Sequence, residues 1–333
     1  MKNTLLAMSL LSSMACMTTT ALAADCGSIT IADVNSQSSD FLSSLDKYIL
    51  NTGYGCNADV AIGGTVPSIT SLVEKGNPNV VSEAWVDLVG EVVQKGIDEN
   101  RISLAAPVFS EGGIQGWFIP KYLAEAHPDI KTIPDALKHP ELFPNAENPS
   151  RGAIYQGPQG WGSTIVTGQL YKAYKAADAG FDIVDTGSAA GLDGSIAKAY
   201  ERKEGWLGVY WAPTALLAKY PLVKLDAGAP VDEAEWKRCM TTPDCPDPKI
   251  SEWPKDRVYT LVSTELAANT KPEVIQYLKT RSFTNDQIGE LLLWMTENQA
   301  TGEQGVNHFL ETNPELWRTW VTAEAAKNIE ASL

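Results

Sequence analysis

The sequence predicts an α/β protein of two lobes, each a mixed, mostly parallel sheet flanked by helices. Strand-like and helix-like segments alternate along two stretches of the chain, the order that builds parallel sheets covered on both faces. Once an N-terminal leader is set aside, about 310 residues remain, more than one hydrophobic core usually organises. Several of the ten tryptophans stand at strand ends or in glycine-rich loops, the positions where open α/β sheets bind ligands.

The elements follow in order. Met1-Lys2, the apolar stretch Leu5 to Ala15 and the small-x-small site Ala21-Leu22-Ala23 read as a secretory signal cleaved after Ala23. A lipoprotein reading on Cys16 is disfavoured because Ser13 stands where a bulky aliphatic is wanted. Ser28–Val34 reads as a buried strand, and Asp40–Asn51 as a helix with Phe41, Leu42, Leu45, Tyr48 and Ile49 at helical spacing. Asp59–Ile62 is a short strand, followed by a helix capped at Thr65 and stopped by Gly76. Val80–Trp85 is the next strand.

The middle of the chain repeats the theme: strands at Ala153–Tyr155, Phe181–Val184 and Leu207–Trp211, helices at Ser163–Ala177 and Ser188–Glu204. The last third is helical, with capping-box patterns at Thr284–Gln287 and Thr301–Gln304. Pro134–Arg151 and Asp226–Pro254 read as surface loops.

Composition narrows the function. With 26 basic against 41 acidic residues and a net charge of −15, nucleic acid and anionic membranes are poor partners. Beyond the leader, no apolar run approaches the roughly 20 residues of a membrane span. Cys26, Cys56, Cys239 and Cys245 remain after cleavage, an even number that suits two disulfides in an oxidising compartment. Nearest-neighbour pairing gives Cys26–Cys56 and Cys239–Cys245, although sequence alone permits three connectivities. Zinc lacks a knuckle spacing, and the chain has three histidines, His127, His139 and His308, none in a site-like context. Metal and cofactor are therefore both expected to be none.

Indole faces are the best side-chain receptors for a quaternary ammonium group, which carries charge but no N–H to donate. Trp85 and Trp211 end predicted strands, and Trp161 opens a helix after the loop Gln156–Gly160. Trp117, in Gly113–Pro120, either lines the same pocket or packs at the hinge; Trp206, Trp294, Trp317 and Trp320 read as packing.

At Gly160-Trp161-Gly162, Tyr210-Trp211-Ala212-Pro213, Gln115–Ile119 and the strand end at Trp85, the chain resembles the glycine betaine/proline-type substrate-binding proteins of ABC importers, the OpuAC-like family. The resemblance extends over essentially the whole chain after the leader. It implies a type II periplasmic-binding-protein clamshell, with Trp85 as the first-lobe wall and Trp161 and Trp211 as second-lobe walls of a box around a trimethylammonium group. It also implies delivery to a membrane permease served by a cytoplasmic ATPase. Lobe one is expected at residues 26–113 plus 223–333 and lobe two at 116–220.

Two departures bear on the ligand. No histidine follows Trp85 in Val86–Val89, where betaine-binding relatives often carry one, and no tryptophan follows the first strand in Val34–Ser38, where choline-binding relatives do. The first N–H groups of the helix at Gly162 offer an oxygen a place to bind. Glu111, at the expected lobe crossing, opposes a ligand carboxylate if it faces the pocket, and Glu83 alternates in phase with Trp85. These features order the ligands as trimethylamine N-oxide, then glycine betaine, then choline. A secreted carboxylate-dependent glycoside hydrolase or a sugar-binding protein is the competing reading, since aromatics also stack on sugars. The sequence lacks G-x-S-x-G, Walker, H-E-x-x-H and dinucleotide fingerprints, so no enzyme is expected.

Overall fold

The computed structural model describes residues 26–333, so the expected leader lies outside the described residues. Among the described residues, ten strands form two five-stranded sheets. The first contains β1 (Ser28–Asp33), β2 (Asn57–Ile62), β3 (Val80–Trp85), β4 (Ile102–Pro107) and, from late in the chain, β10 (Val258–Ser263), in the order β2-β1-β3-β10-β4. The second contains β5 (Ile114–Pro120), β6 (Gly152–Gln156), β7 (Phe181–Asp185), β8 (Gly208–Ala212) and β9 (Leu222–Lys224), in the order β7-β6-β8-β5-β9.

Each sheet is parallel except for one reversed strand, and that strand is the one the chain enters after crossing over. β1 pairs in parallel with β2 and β3 whereas β10 runs antiparallel to β3 and β4. Likewise β6 is parallel to β7 and β8 whereas β5 runs antiparallel to β8 and β9. The crossovers meet at a single antiparallel bridge between Gly113 and Asp256. β9 belongs to the second sheet, which therefore runs to Lys224, past the expected end of lobe two at 220.

The predicted strands and helices recur within a few residues. The helix Gln37–Tyr48 starts on a Ser36 cap and buries Phe41, Leu42 and Leu45, the stripe its spacing demanded. Phe41 meets Phe283 and Phe309 edge-on at 5.8 and 5.7 Å. The capping boxes at Thr284 and Thr301 are both formed.

Asp226–Pro254 differs from the expected surface loop. It buries Trp236, Met240 and Trp253, with Trp236 donating through Nε1 to the Asp87 carbonyl at 2.9 Å and Gln169 donating to the Thr242 carbonyl at 2.7 Å. Its proline and glycine content signals irregular backbone correctly, but irregular backbone is not the same as solvent exposure. Trp236 thereby bonds the turn after β3, Trp253 meets the Trp236 ring edge-on at 5.4 Å, and Gln169 ties the segment to the helix Gly162–Ala173.

The cysteines pair as Cys26–Cys56 and Cys239–Cys245. The first ties the start of β1 to the start of β2 across a separation of 30 residues, the second closes only 6. Loop-closure entropy gives about 3–4 kcal/mol for the longer loop and about 2 kcal/mol for the shorter. Paired serine substitutions should therefore lower the denaturant midpoint more at Cys26/Cys56 than at Cys239/Cys245; equal losses would contradict the loop-length account.

Candidate functional site

A cavity between the two sheets is lined by Trp85, Glu83 and Leu88 from β3 and the turn after it, by Val34, Ser36 and Thr65 elsewhere in the first lobe, and by Gln115, Trp161, Gly162, Ser163 and Trp211 from the second. It is small, about 340 Å³ even with the solvent at its mouth included. Its size suits a few heavy atoms rather than a sugar chain.

β3 delivers two of these groups because residues two apart share a face. Its six residues are all buried. The Trp85 Nε1–H donates to Glu83 Oε1 at 2.8 Å, which fixes the indole plane. Phe109 braces the ring edge-on at 6.3 Å, and Gly113 leaves room for it, since a Cβ there would stand 2.1 Å from the indole.

Trp161 and Trp211 meet at right angles with centroids 5.0 Å apart and make a corner. Trp161 precedes the helix Gly162–Ala173, whose leading N–H groups lack intrahelical acceptors. Trp211 sits directly opposite Gln115 in the β5–β8 pairing, so both side chains lie on the same face. Trp161 also closes the site: its Nε1–H donates to the Val34 carbonyl of the first lobe at 3.0 Å. Nearby, the Val66 N–H donates to the Gly160 carbonyl at 3.0 Å. Gly162 lets Leu88 approach, since a Cβ would fall 2.5 Å from Leu88 Cβ. The lobes are in contact, and the cavity is closed at this edge.

Glu83 is the one ionisable residue in the lining. It is 1 % exposed, and burial pushes its carboxyl up to about 7, against the Trp85 hydrogen bond and the neighbouring Ser38 hydroxyl, which favour the anion. Asp33 raises it further and Arg281 opposes. Glu83 Oε2 is buried without a hydrogen-bond partner. The cavity thus presents indole faces, one free carboxyl oxygen, and no basic side chain among its lining residues.

Of the residues singled out in the sequence, the structure brings Trp85, Trp161, Trp211, Gly162 and Glu83 together. Trp117 and Glu111 are elsewhere. Trp117 is wholly buried, its Nε1 within 3.4 Å of the Thr167 hydroxyl and its ring 6.1 Å from Tyr174; it packs β5 against the helix behind it. Glu111 is exposed and accepts the Asn285 N–H at 2.7 Å, where an anion complements the start of the helix Asn285–Asn298. Its position between two lobes is a hinge position, but its side chain turns outward. Gln115, Ser36, Thr65 and Leu88 were not singled out. Gln115 was detectable only through its register with Trp211, which needs the sheet order.

A small aromatic cavity closed between two α/β lobes defines a ligand-capturing protein of the two-lobed periplasmic-binding type. The family described as "Substrate binding domain of ABC-type glycine betaine transport system" matches residues 27–312, and the chain belongs to it. Solved structures of similar fold include an ABC-transporter choline-binding protein in complex with choline (TM-score 0.72, 19 % identity, 92 % of this chain and 98 % of that one). A glycine betaine/L-proline-binding protein from Borrelia burgdorferi superposes with a TM-score of 0.70 at 19 % identity, over 91 % and 99 % of the two chains. Lactococcal OpuAC, closed on glycine betaine, gives 0.64 at 16 % identity over 89 % and 100 %.

Proposed function

We propose that this protein is the extracytoplasmic receptor of an ABC importer and captures a trimethylammonium solute in a box formed by Trp85, Trp161 and Trp211. Membership of the substrate-binding family supports delivery to a permease driven by a cytoplasmic ATPase, and favours capture over glycoside hydrolysis. The observation that carries the ligand class is the convergence of these indoles on a cavity whose single ionisable group is Glu83. Each well-placed indole face contributes about 0.5–2 kcal/mol to a desolvated cation.

The polar end discriminates within the class. Protonated, Glu83 donates from its free oxygen to an N-oxide; ionised, it pairs with a cation such as choline. A betaine carboxylate would face Glu83 with no basic side chain in the lining, leaving it the amides at Gly162 and Ser163. Trimethylamine N-oxide therefore ranks first, as the sequence suggested, but through Glu83 and not Glu111. Choline now precedes glycine betaine.

Titration calorimetry with the three compounds tests this. Glu83→Gln keeps a donor and should retain the N-oxide within about tenfold, while choline loses more and betaine gains, since a charge-to-charge term of 1.4 kcal/mol is tenfold. Tightest binding of betaine, with Glu83→Gln leaving all three affinities unchanged, would remove the ligand assignment.

A further inference from the structure

The crossover bridge holds a second buried carboxyl outside the lining of the cavity. Asp256 is 1 % exposed, and neither of its oxygens has a hydrogen-bond partner. Its backbone is locked across the hinge, with the Gly113 N–H donating to the Asp256 carbonyl at 2.9 Å and the Asp256 N–H donating to the Gly113 carbonyl at 3.2 Å. Gly113 is also the residue on which the Trp85 ring rests. The Gln115 side chain, part of the cavity wall, lies beside the carboxyl without an aligned hydrogen bond.

The charged surroundings do not neutralise an anion here. Asp87, after β3, faces it with like charge and is itself engaged by Arg257, at 2.7 Å from Nη2. Lys224 of β9 attracts it but is paired with Glu252 at 2.9 Å. Arg257 is thus occupied, and flanking Lys255 reaches along Gly112 on the other side of the bridge. Burial dominates and pushes the Asp256 carboxyl up to about 8.

We propose that Asp256 is a proton-binding site at the hinge: the closed clamshell holds it neutral, and opening wets it and releases the proton. A lone buried anion is otherwise among the costliest groups a fold can carry. Ligand capture, which selects the closed form, then takes up a proton here. This rests on the capture reading above.

The sign follows from linkage. The carboxyl is raised in the closed form and near its ordinary value of about 4 when solvated, so closed protein binds the extra proton between these limits. Closure is fully favoured below about 4, weakens up to tenfold per pH unit above it, and levels off beyond about 8. Glu83 contributes its own titration, so the comparison must be between variants.

The experiment uses the full chain and its Asp256→Asn and Glu83→Gln variants. Thermal unfolding at saturating ligand, which holds the closed form, should show wild type losing stability from about pH 5 to 8 relative to Asp256→Asn; parallel profiles there would overturn the proton site. Calorimetry with trimethylamine N-oxide, choline and betaine in buffers of different ionisation enthalpy should show Asp256→Asn taking up about one proton fewer than wild type at pH 7. The variant should also bind more tightly at pH 8. If the unfolding profiles differ but proton uptake does not, Asp256 is protonated without being coupled to closure and the proposal fails. If no compound binds wild type, the capture reading fails, whereas binding with parallel unfolding profiles overturns the proton site alone.

Discussion

Trp161→Ala is expected to weaken ligand binding by about 3 kcal/mol, roughly a 150-fold rise in Kd. Two losses combine. The cavity loses an indole wall and the burial it provides, and the lobes lose the 3.0 Å hydrogen bond from Trp161 Nε1 to the Val34 carbonyl, worth about 1 kcal/mol. Trp161→Phe separates them: it keeps an aromatic face and removes the latch, so about 1 kcal/mol should go, chiefly as faster dissociation. Trp85→Ala and Trp211→Ala remove walls but no bond between lobes, and should cost about 1–3 kcal/mol each. Stopped-flow and calorimetric titration of the four variants check the order. Affinities unchanged by all three alanine substitutions would dissolve the box.

That latch marks the limit of what the sequence discloses. Alternation of period-2 and period-3.6 segments was enough for the parallel strands β1 to β3 and β6 to β8, because parallel strands with crossover helices leave long local patterns. The strands β4, β5, β9 and β10 were not individually legible: β5 and β10 run against their neighbours, and β4 and β9 are set by pairing with them far along the chain rather than by local periodicity. The tryptophans at strand ends were legible for the same topological reason: the carboxyl ends of parallel strands point to the crevice. Side-chain direction was legible only inside a regular strand. Glu83 sits two residues before Trp85 in β3, so its face follows from Trp85. Glu111 lies at a crossover, where no periodicity sets the direction, and turns to cap a helix; Trp117 lies inside β5 on the face of Gln115, but further along the strand, in the lobe-two core. Trp236 and Trp253, hidden in a segment rich in proline, show the same limit from the core side.

The largest expected loss of stability is at Asp46, far from any ligand. Asp46 and Arg281 are both wholly buried. Arg281 Nε lies 2.7 Å from Asp46 Oδ1, off the line of a hydrogen bond, and Nη2 donates to Oδ2 at 3.2 Å. Tyr277 and Ser82 hydroxyls each donate to Asp46 at 2.6 Å, and Arg281 Nη2 also donates to the Ser82 carbonyl and to Thr260 Oγ1. The carboxylate and guanidinium together thus join the helix Gln37–Tyr48, β3, β10 and the helix Pro272–Thr280. Asp46→Ala strands a buried guanidinium and should cost about 3–5 kcal/mol, whereas replacing both partners with apolar residues should cost less than the sum of the single changes. Denaturant unfolding of the two single variants and the double variant measures this; strict additivity would mean that the pair is not coupled. The function should shift too. Arg281 already favours the anionic form of Glu83, and without Asp46 its charge is no longer balanced. Any Asp46→Ala protein that remains folded should therefore hold Glu83 more ionised and move its preference from the N-oxide toward choline, a change that loss of stability alone does not produce.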